Sequence, residues 1–142
     1  MPIGALITNK KYLEVFHREP GFGHISTFGG HPFSCFIASR FLTLFTEKKL
    51  WERAKTLQQK FEEIIRGYPV KYRASGAMCA VDIKVPANAI IPLILRNLQI
   101  NVSGFLFNER ALRIYPPLNM DVNIYEMLLE KLMNFLQKEG FI

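Results

Sequence analysis

The sequence is short of cysteine, of negative charge and of long apolar runs. Cys35 and Cys79 are its only thiols in 142 residues. Two cysteines so far apart cannot form the disulfide framework of a small secreted scaffold, so a cytoplasmic protein with reduced thiols is expected. The most apolar stretch, residues 87–95, is interrupted by Asn88 and Pro92. It is about half of the roughly 20 residues a bilayer-spanning helix requires, which argues against a membrane partner. Residues 1–7 are apolar but lack a basic leader and a small-residue cleavage site, so they do not read as a secretory signal. Twelve Asp and Glu stand against eighteen Lys and Arg, a formal charge of +6. The basic residues are dispersed, in runs of no more than two. That pattern reads as a solvated basic surface and argues against a nucleic-acid stripe, while an anionic small partner stays open.

What is present is an ordinary globular mixture, 49% hydrophobic and 21% charged, long enough to bury a substantial core. It enters an apolar run at its second residue, whereas most domains open on a few polar ones. Residues 2–8 read as a short buried strand and residues 12–16 as a short helical or irregular connection. Residues 19–32 (E-P-G-F-G-H-I-S-T-F-G-G-H-P) hold four glycines and two prolines and keep no regular period, so they read as a long functional loop. Pro32 suits the first position of a helix. Residues 33–45 are apolar almost all round, which predicts a buried or interface helix. A second helix over residues 48–66 carries Leu50, Ala54, Leu57, Phe61 and Ile64 on one face. A strand is expected within residues 72–83, with Met78, Ala80 and Val81 partly buried. A helix over 88–98 and short strands at 100–102 and 111–114 follow. Pro116-Pro117 is a break. Asp121 caps a last helix whose inner stripe is Val122, Tyr125, Leu128, Leu129, Leu132 and Leu136. Helices alternating with short strands place the chain in the α/β or α+β class.

His17, His24 and His31 recur every seven residues, but glycines and Pro20 forbid one continuous helix. No cysteine or carboxylate completes a ligand set, so no metal site is expected. Cys35 reads as a buried, inert thiol rather than a nucleophile paired with His31. Residues 21–26 are a broken dinucleotide fingerprint without its last glycine. The following stretch has two readings of equal weight. It is a structural turn, or it is an anion cradle in which Ser26 and Thr27 offer hydroxyls and Gly29 and Gly30 let the backbone approach ahead of a helix N-terminus. Arg113, flanked by apolar residues on a short strand, is either an exposed strand-edge residue or a cation that is paired or faces a cleft. In a cleft its shape suits a carboxylate. Arg73 reads as a surface or structural residue.

Four motifs in order resemble the class III aminotransferases, the ornithine and acetylornithine aminotransferase family. S-T-F-G-G-H-P at residues 26–32 is similar to the family's S-T-F-G-G-N-P. L-W-E-R-A-K-T-L from residue 50 resembles L-x-E-R-A-x-x-L, and R-A-S-G-A-M from residue 73 resembles R-G-x-G-L-M. A-L-R-I-Y-P-P-L-N at residues 111–119 resembles V-L-R-x-x-P-P-L-N. M-P-I-G-A at the start is similar to the segment that follows the family's K-x-x-x-G-G-G motif, whose lysine forms the Schiff base with pyridoxal phosphate. Lys10 and Lys11 do not stand in that context. The resemblance implies the C-terminal portion of a fold-type I enzyme: residues 1–32 the end of the large cofactor-binding domain, residues 33–142 a linker helix and the C-terminal small domain. It implies that Thr27, with Ser26 beside it, reaches the phosphate of pyridoxal phosphate in the neighbouring subunit of a homodimer. It implies that Arg113 binds the carboxylate of an amino acid or 2-oxo acid substrate. His31 and Ile25 depart from the family's asparagine and glycine and put substrate preference in doubt. The chain is expected to carry no catalytic residue of its own, to need a large-domain partner chain, and neither to bind the cofactor nor to transfer amino groups alone. The alternative is a free-standing, non-enzymatic module that dimerises or binds another protein through the apolar helix.

Overall fold

The structure is a computed structural model, and it describes residues 3–17 and 26–142. The chain divides into two compact units, Met1–Lys48 and Lys49–Ile142.

In the first unit, residues 3–9 form no regular element. Ile3, Leu6 and Ile7 are exposed. The strand expected at residues 2–8 is therefore absent from its described part. A strand needs a neighbour for its backbone N–H and C=O groups, and no described segment pairs with this one. Helix α1 (Lys10–Leu13) follows, its N-terminus capped by Asn9, whose side chain accepts from the Lys11 N–H at 3.0 Å. A 3₁₀ turn over Glu14–His17 continues it. Helix α2 runs Pro32–Glu47, with Pro32 at its first turn as its fixed φ favours. The large side chains of α2, among them Phe33, Phe36, Phe41 and Leu42, are exposed. The expectation of a buried helix fails for these residues, and Cys35, expected buried, is also exposed. Apolar composition shows that a helix needs cover; it does not supply the cover.

The second unit holds a four-stranded antiparallel sheet: β1 (Tyr72–Ser75), β2 (Met78–Asp82), β3 (Ser103–Gly104) and β4 (Ala111–Ile114), in the order β1-β2-β4-β3. The single strand expected over 72–83 is a hairpin. Gly76 opens its two-residue loop at φ +58°, the left-handed conformation such a turn reserves for glycine. The strand expected at 100–102 lies one step later, at β3, where pairing with β4 is available.

Helices α3 (Leu50–Ile65), α4 (Ala87–Leu98) and α5 (Val122–Lys138) bury one stripe each. Leu57, Phe61 and Ile65 of α3 meet Ile90 and Ile94 of α4 and Tyr125, Leu129, Leu132, Met133 and Leu136 of α5. These join Cys79 and Val81 of β2 and Leu112 and Ile114 of β4 in one core. Each large side chain removed from water there contributes about 1.5–3 kcal/mol before entropy is charged against it. Val122 and Leu128, read as inner-stripe residues, are only half-buried, and Met133 completes the stripe. Asp121 caps α5 as its sequence position indicates, accepting from Asn123 and Ile124 N–H at 2.9 and 3.2 Å. Pro92 lies inside α4, in its second turn. Ile142 is buried in the same core, and the Lys84 ammonium donates to its carbonyl at 2.8 Å.

One face of the sheet is thus packed and the other carries polar side chains. On that outer face the strand register aligns Arg73, Ala80, Arg113 and Ser103 in one lateral row. Met78 shares the outer face with them and is exposed, against the expectation that it is partly buried. Among the described residues no helix is long and apolar enough to cross a membrane.

Candidate functional site

The outer row places two arginines with opposite circumstances. Arg73 on β1 forms a two-pronged ion pair with Asp82 two residues along the same face of β2, one contact being 3.1 Å. The Arg73 guanidinium holds the Asp82 carboxyl below its ordinary range. Arg73 is therefore structural, as its sequence position suggests. Arg113 has no ion pair among the described residues.

Arg113 does not stand at a sheet edge. Its strand, β4, lies between β2 and β3. The guanidinium donates from Nε to the Ser103 hydroxyl at 2.9 Å. Its Cζ lies 4.9 Å from the centre of the Tyr115 ring and 5.8 Å from that of Phe105. A delocalised, weakly hydrated cation lying over aromatic rings is stabilised without losing its in-plane donors. A shallow cavity of about 190 Å³, lined by Arg73, Phe105, Leu106, Phe107 and Asn108, shares Phe105 with this stack. Among the described residues nothing bonds to the terminal nitrogens of this exposed cation, which can take a carboxylate in the manner of a fork.

Sequence reasoning singled out Arg113 and missed Ser103, Phe105 and Tyr115. Tyr115 could have been found, because it stands two residues along an extended segment and so on the same face. Ser103 could not, because only the β3–β4 register brings it opposite Arg113.

In the first unit, Ser26 precedes a turn over residues 27–30. The Gly29 N–H donates to the Ser26 carbonyl at 3.0 Å and the His31 N–H to that of Phe28 at 3.2 Å. A Cβ at Gly29 would meet the Ser26 hydroxyl at 2.8 Å, and Gly30 has φ +71°. The turn's backbone thus favours glycine at Gly30, while at Gly29 the Ser26 hydroxyl would have to turn aside for a side chain. Ser26 and Thr27 are exposed, and their hydroxyls make no hydrogen bond among the described residues. The turn runs into α2, whose N-terminus carries no side-chain cap. Free hydroxyls, close backbone and an uncapped helix start fit the oxygens of a phosphate group. The fingerprint residues 21–25, with His24, lie outside the described residues. So does the side chain of His17.

Burial pushes the Cys79 thiol up to about 12, and a protonated thiol is not a nucleophile at neutral pH. Among the described residues no group of three or more His, Cys, Asp or Glu could hold a metal ion.

The family model described as aminotransferase class-III matches residues 1–136. The acetylornithine aminotransferase of Nitrosomonas europaea is 32% identical over 127 residues, covering 84% of this chain and 30% of that protein. A solved ornithine aminotransferase from Toxoplasma gondii, described with partial occupancy of PLP at its active site, superposes with a TM-score of 0.71 at 26% identity. It covers 89% of this chain and 32% of its own. An acetylornithine aminotransferase from Elizabethkingia anophelis gives a TM-score of 0.63 at 25% identity, over 79% and 31% of the two chains. The chain therefore spans about a third of the length of the relatives it matches.

Proposed function

The chain belongs to the class-III aminotransferases, and from that premise we propose that it is the C-terminal part of a pyridoxal-phosphate-dependent enzyme. That enzyme moves an amino group between an amino acid or amine and a 2-oxo acid. The observation that carries the reading is Arg113, a cation held on an interior strand that, among the described residues, has no ion-pair partner and no bond to its terminal nitrogens. In this role it anchors the substrate carboxylate. Ser26 and Thr27 hold the cofactor phosphate, Thr27 toward a neighbouring subunit. Gly30, at φ +71°, shapes the turn that presents those hydroxyls.

When bound, pyridoxal phosphate supplies the electron sink for amino transfer. This chain's own residues bind and orient; none of them holds or moves a proton in the reading proposed. No lysine of these 142 residues stands in a K-x-x-x-G-G-G context, so in this reading they do not transfer amino groups by themselves. Residues 1–32 belong with the large domain and residues 33–142 with the linker helix and small domain. The exposed phenylalanines of α2 support association with a second copy.

Three measurements test this. Glutarate titrated into the chain is expected to shift the β4 backbone amides saturably in the native protein and not in Arg113→Ala. Equal responses, or none, overturn the anchor. The 142 residues purified and given pyridoxal phosphate, an amino acid and a 2-oxo acid are expected to show no transfer, and reproducible turnover from a clean sample would refute that part of the reading. Sedimentation is expected to show association, and a concentration-independent monomer counts against the dimer.

A further inference from the structure

We infer that Ser103, with the rings of Phe105 and Tyr115, positions the Arg113 guanidinium so that a carboxylate docks end-on, on the two terminal nitrogens alone. This rests on the reading of Arg113 as a carboxylate anchor and goes beyond it by naming the edge that is used and the residue that selects it.

A guanidinium carries five N–H donors in one plane. It can meet a carboxylate with its two terminal nitrogens, or side-on with Nε and one terminal nitrogen. In this structure Nε is already committed, donating to Ser103 Oγ at 2.9 Å. The rings of Tyr115 and Phe105 lie against the cation, their centres 4.9 and 5.8 Å from Cζ. Among the described residues nothing bonds to the two terminal nitrogens, so the edge they share is the one left for a carboxylate.

The commitment is built into the sheet. Antiparallel register sets Ser103 directly opposite Arg113, close enough for side chains to touch. On the other side the register sets Ala80, a methyl group with no donor or acceptor. The next residue of the row, Arg73, is paired with Asp82, so that carboxylate is already engaged. The anchor is thus ordered before a ligand arrives, and less conformational freedom is lost on binding. Ser103 touches no ligand in this scheme; it is a positioning residue.

Nitrogen-15 side-chain NMR on the whole chain reads the arrangement directly, with the Arg113 Nε–H signal assigned by its loss in Arg113→Lys. Without ligand, that proton is expected to exchange with water slowly in the native chain and in Ser103→Thr, and several-fold faster in Ser103→Ala and in Ser103→Val. The Thr and Val variants have nearly the same shape and differ in the oxygen, so a packing role would not separate them. With glutarate, the terminal N–H signals are expected to move while Nε–H stays. In Ser103→Ala, Nε–H should move as well and binding should weaken several-fold, because the side-chain freedom that Ser103 removes beforehand is then lost on binding. Equal Nε–H exchange in the Thr and Val variants overturns the role of Ser103. A native Nε–H that shifts with glutarate as much as the terminal groups overturns end-on docking. No response at any Arg113 nitrogen removes the carboxylate anchor, and end-on docking with it, while the exchange comparison still reads the Ser103 bond.

Discussion

Replacing Tyr125 with phenylalanine is expected to stabilise the second unit. Tyr125 is 3% exposed, on the inner stripe of α5, and among the described residues its buried hydroxyl has no hydrogen-bond partner of good geometry. The polar group that influences it is the Cys79 thiol, and sulfur is a weak acceptor. A buried hydroxyl left unsatisfied costs about 1–3 kcal/mol. Allowing for a partial return from the sulfur, removal of the oxygen should gain about 1 kcal/mol. In a unit of this size that corresponds to a rise in Tm of about 4–8 °C. Thermal and urea unfolding check it: the urea midpoint should rise with an unchanged slope. A fall in Tm would show that the hydroxyl is well paired and would refute the reasoning. Alkaline pH gives an independent reading. Burial raises Tyr125 above its ordinary 10.0 and Cys79 from 9.0 to about 12. The unfolded chain therefore releases these protons before the native state does. Their contribution is complete below about pH 9 and is lost as pH climbs, at about 1.4 kcal/mol per pH unit for each group. Tyr125→Phe should make the fall above pH 10 shallower and leave the Cys79 part, which begins near pH 9, in place.

Other changes follow from local geometry. Asp121→Ala removes both side-chain bonds to the start of α5 and should cost about 1 kcal/mol by urea unfolding. Gly76→Ala has room, since a Cβ would sit 3.5 Å from that of Ala54, so its cost of roughly 1–2 kcal/mol is that of φ +58°. Gly76→Asn should cost less than alanine in the same assay, because asparagine tolerates that region better. Arg73 depresses the Asp82 carboxyl, so this pair stabilises the native state above the ordinary pKa of 3.8 and fails as pH falls through the lowered value. Both partners are partly exposed, which limits the contribution to less than about 1 kcal/mol. Asp82→Asn should flatten the stability profile below pH 4 by that amount.

Much of the second unit is legible along the chain. The three- and four-residue spacing of Leu57, Phe61 and their neighbours announces α3, and the stripe from Tyr125 to Leu136 announces α5. The Asp121 cap and the break at Pro116-Pro117 involve neighbours in sequence, so local chemistry suffices for them. Residues 2–8 show the opposite case. Their apolar run looks like a strand, yet a strand exists only through its partners, and a run of letters does not state whether one is present. The four motifs identified the family, because each preserves residues at a fixed local spacing.

By itself, then, the sequence determined the helices, the caps, the family and the two candidates Thr27 and Arg113. Tertiary structure decided what surrounds them. Only strand pairing turns residues 72–82 into a hairpin, engages Arg73 with Asp82 and leaves Arg113 without a carboxylate among the described residues. Only the β3–β4 register brings Ser103 to the guanidinium from ten residues away. Helix periodicity and capping are written within a few successive residues, whereas register and cover depend on segments that meet across the fold.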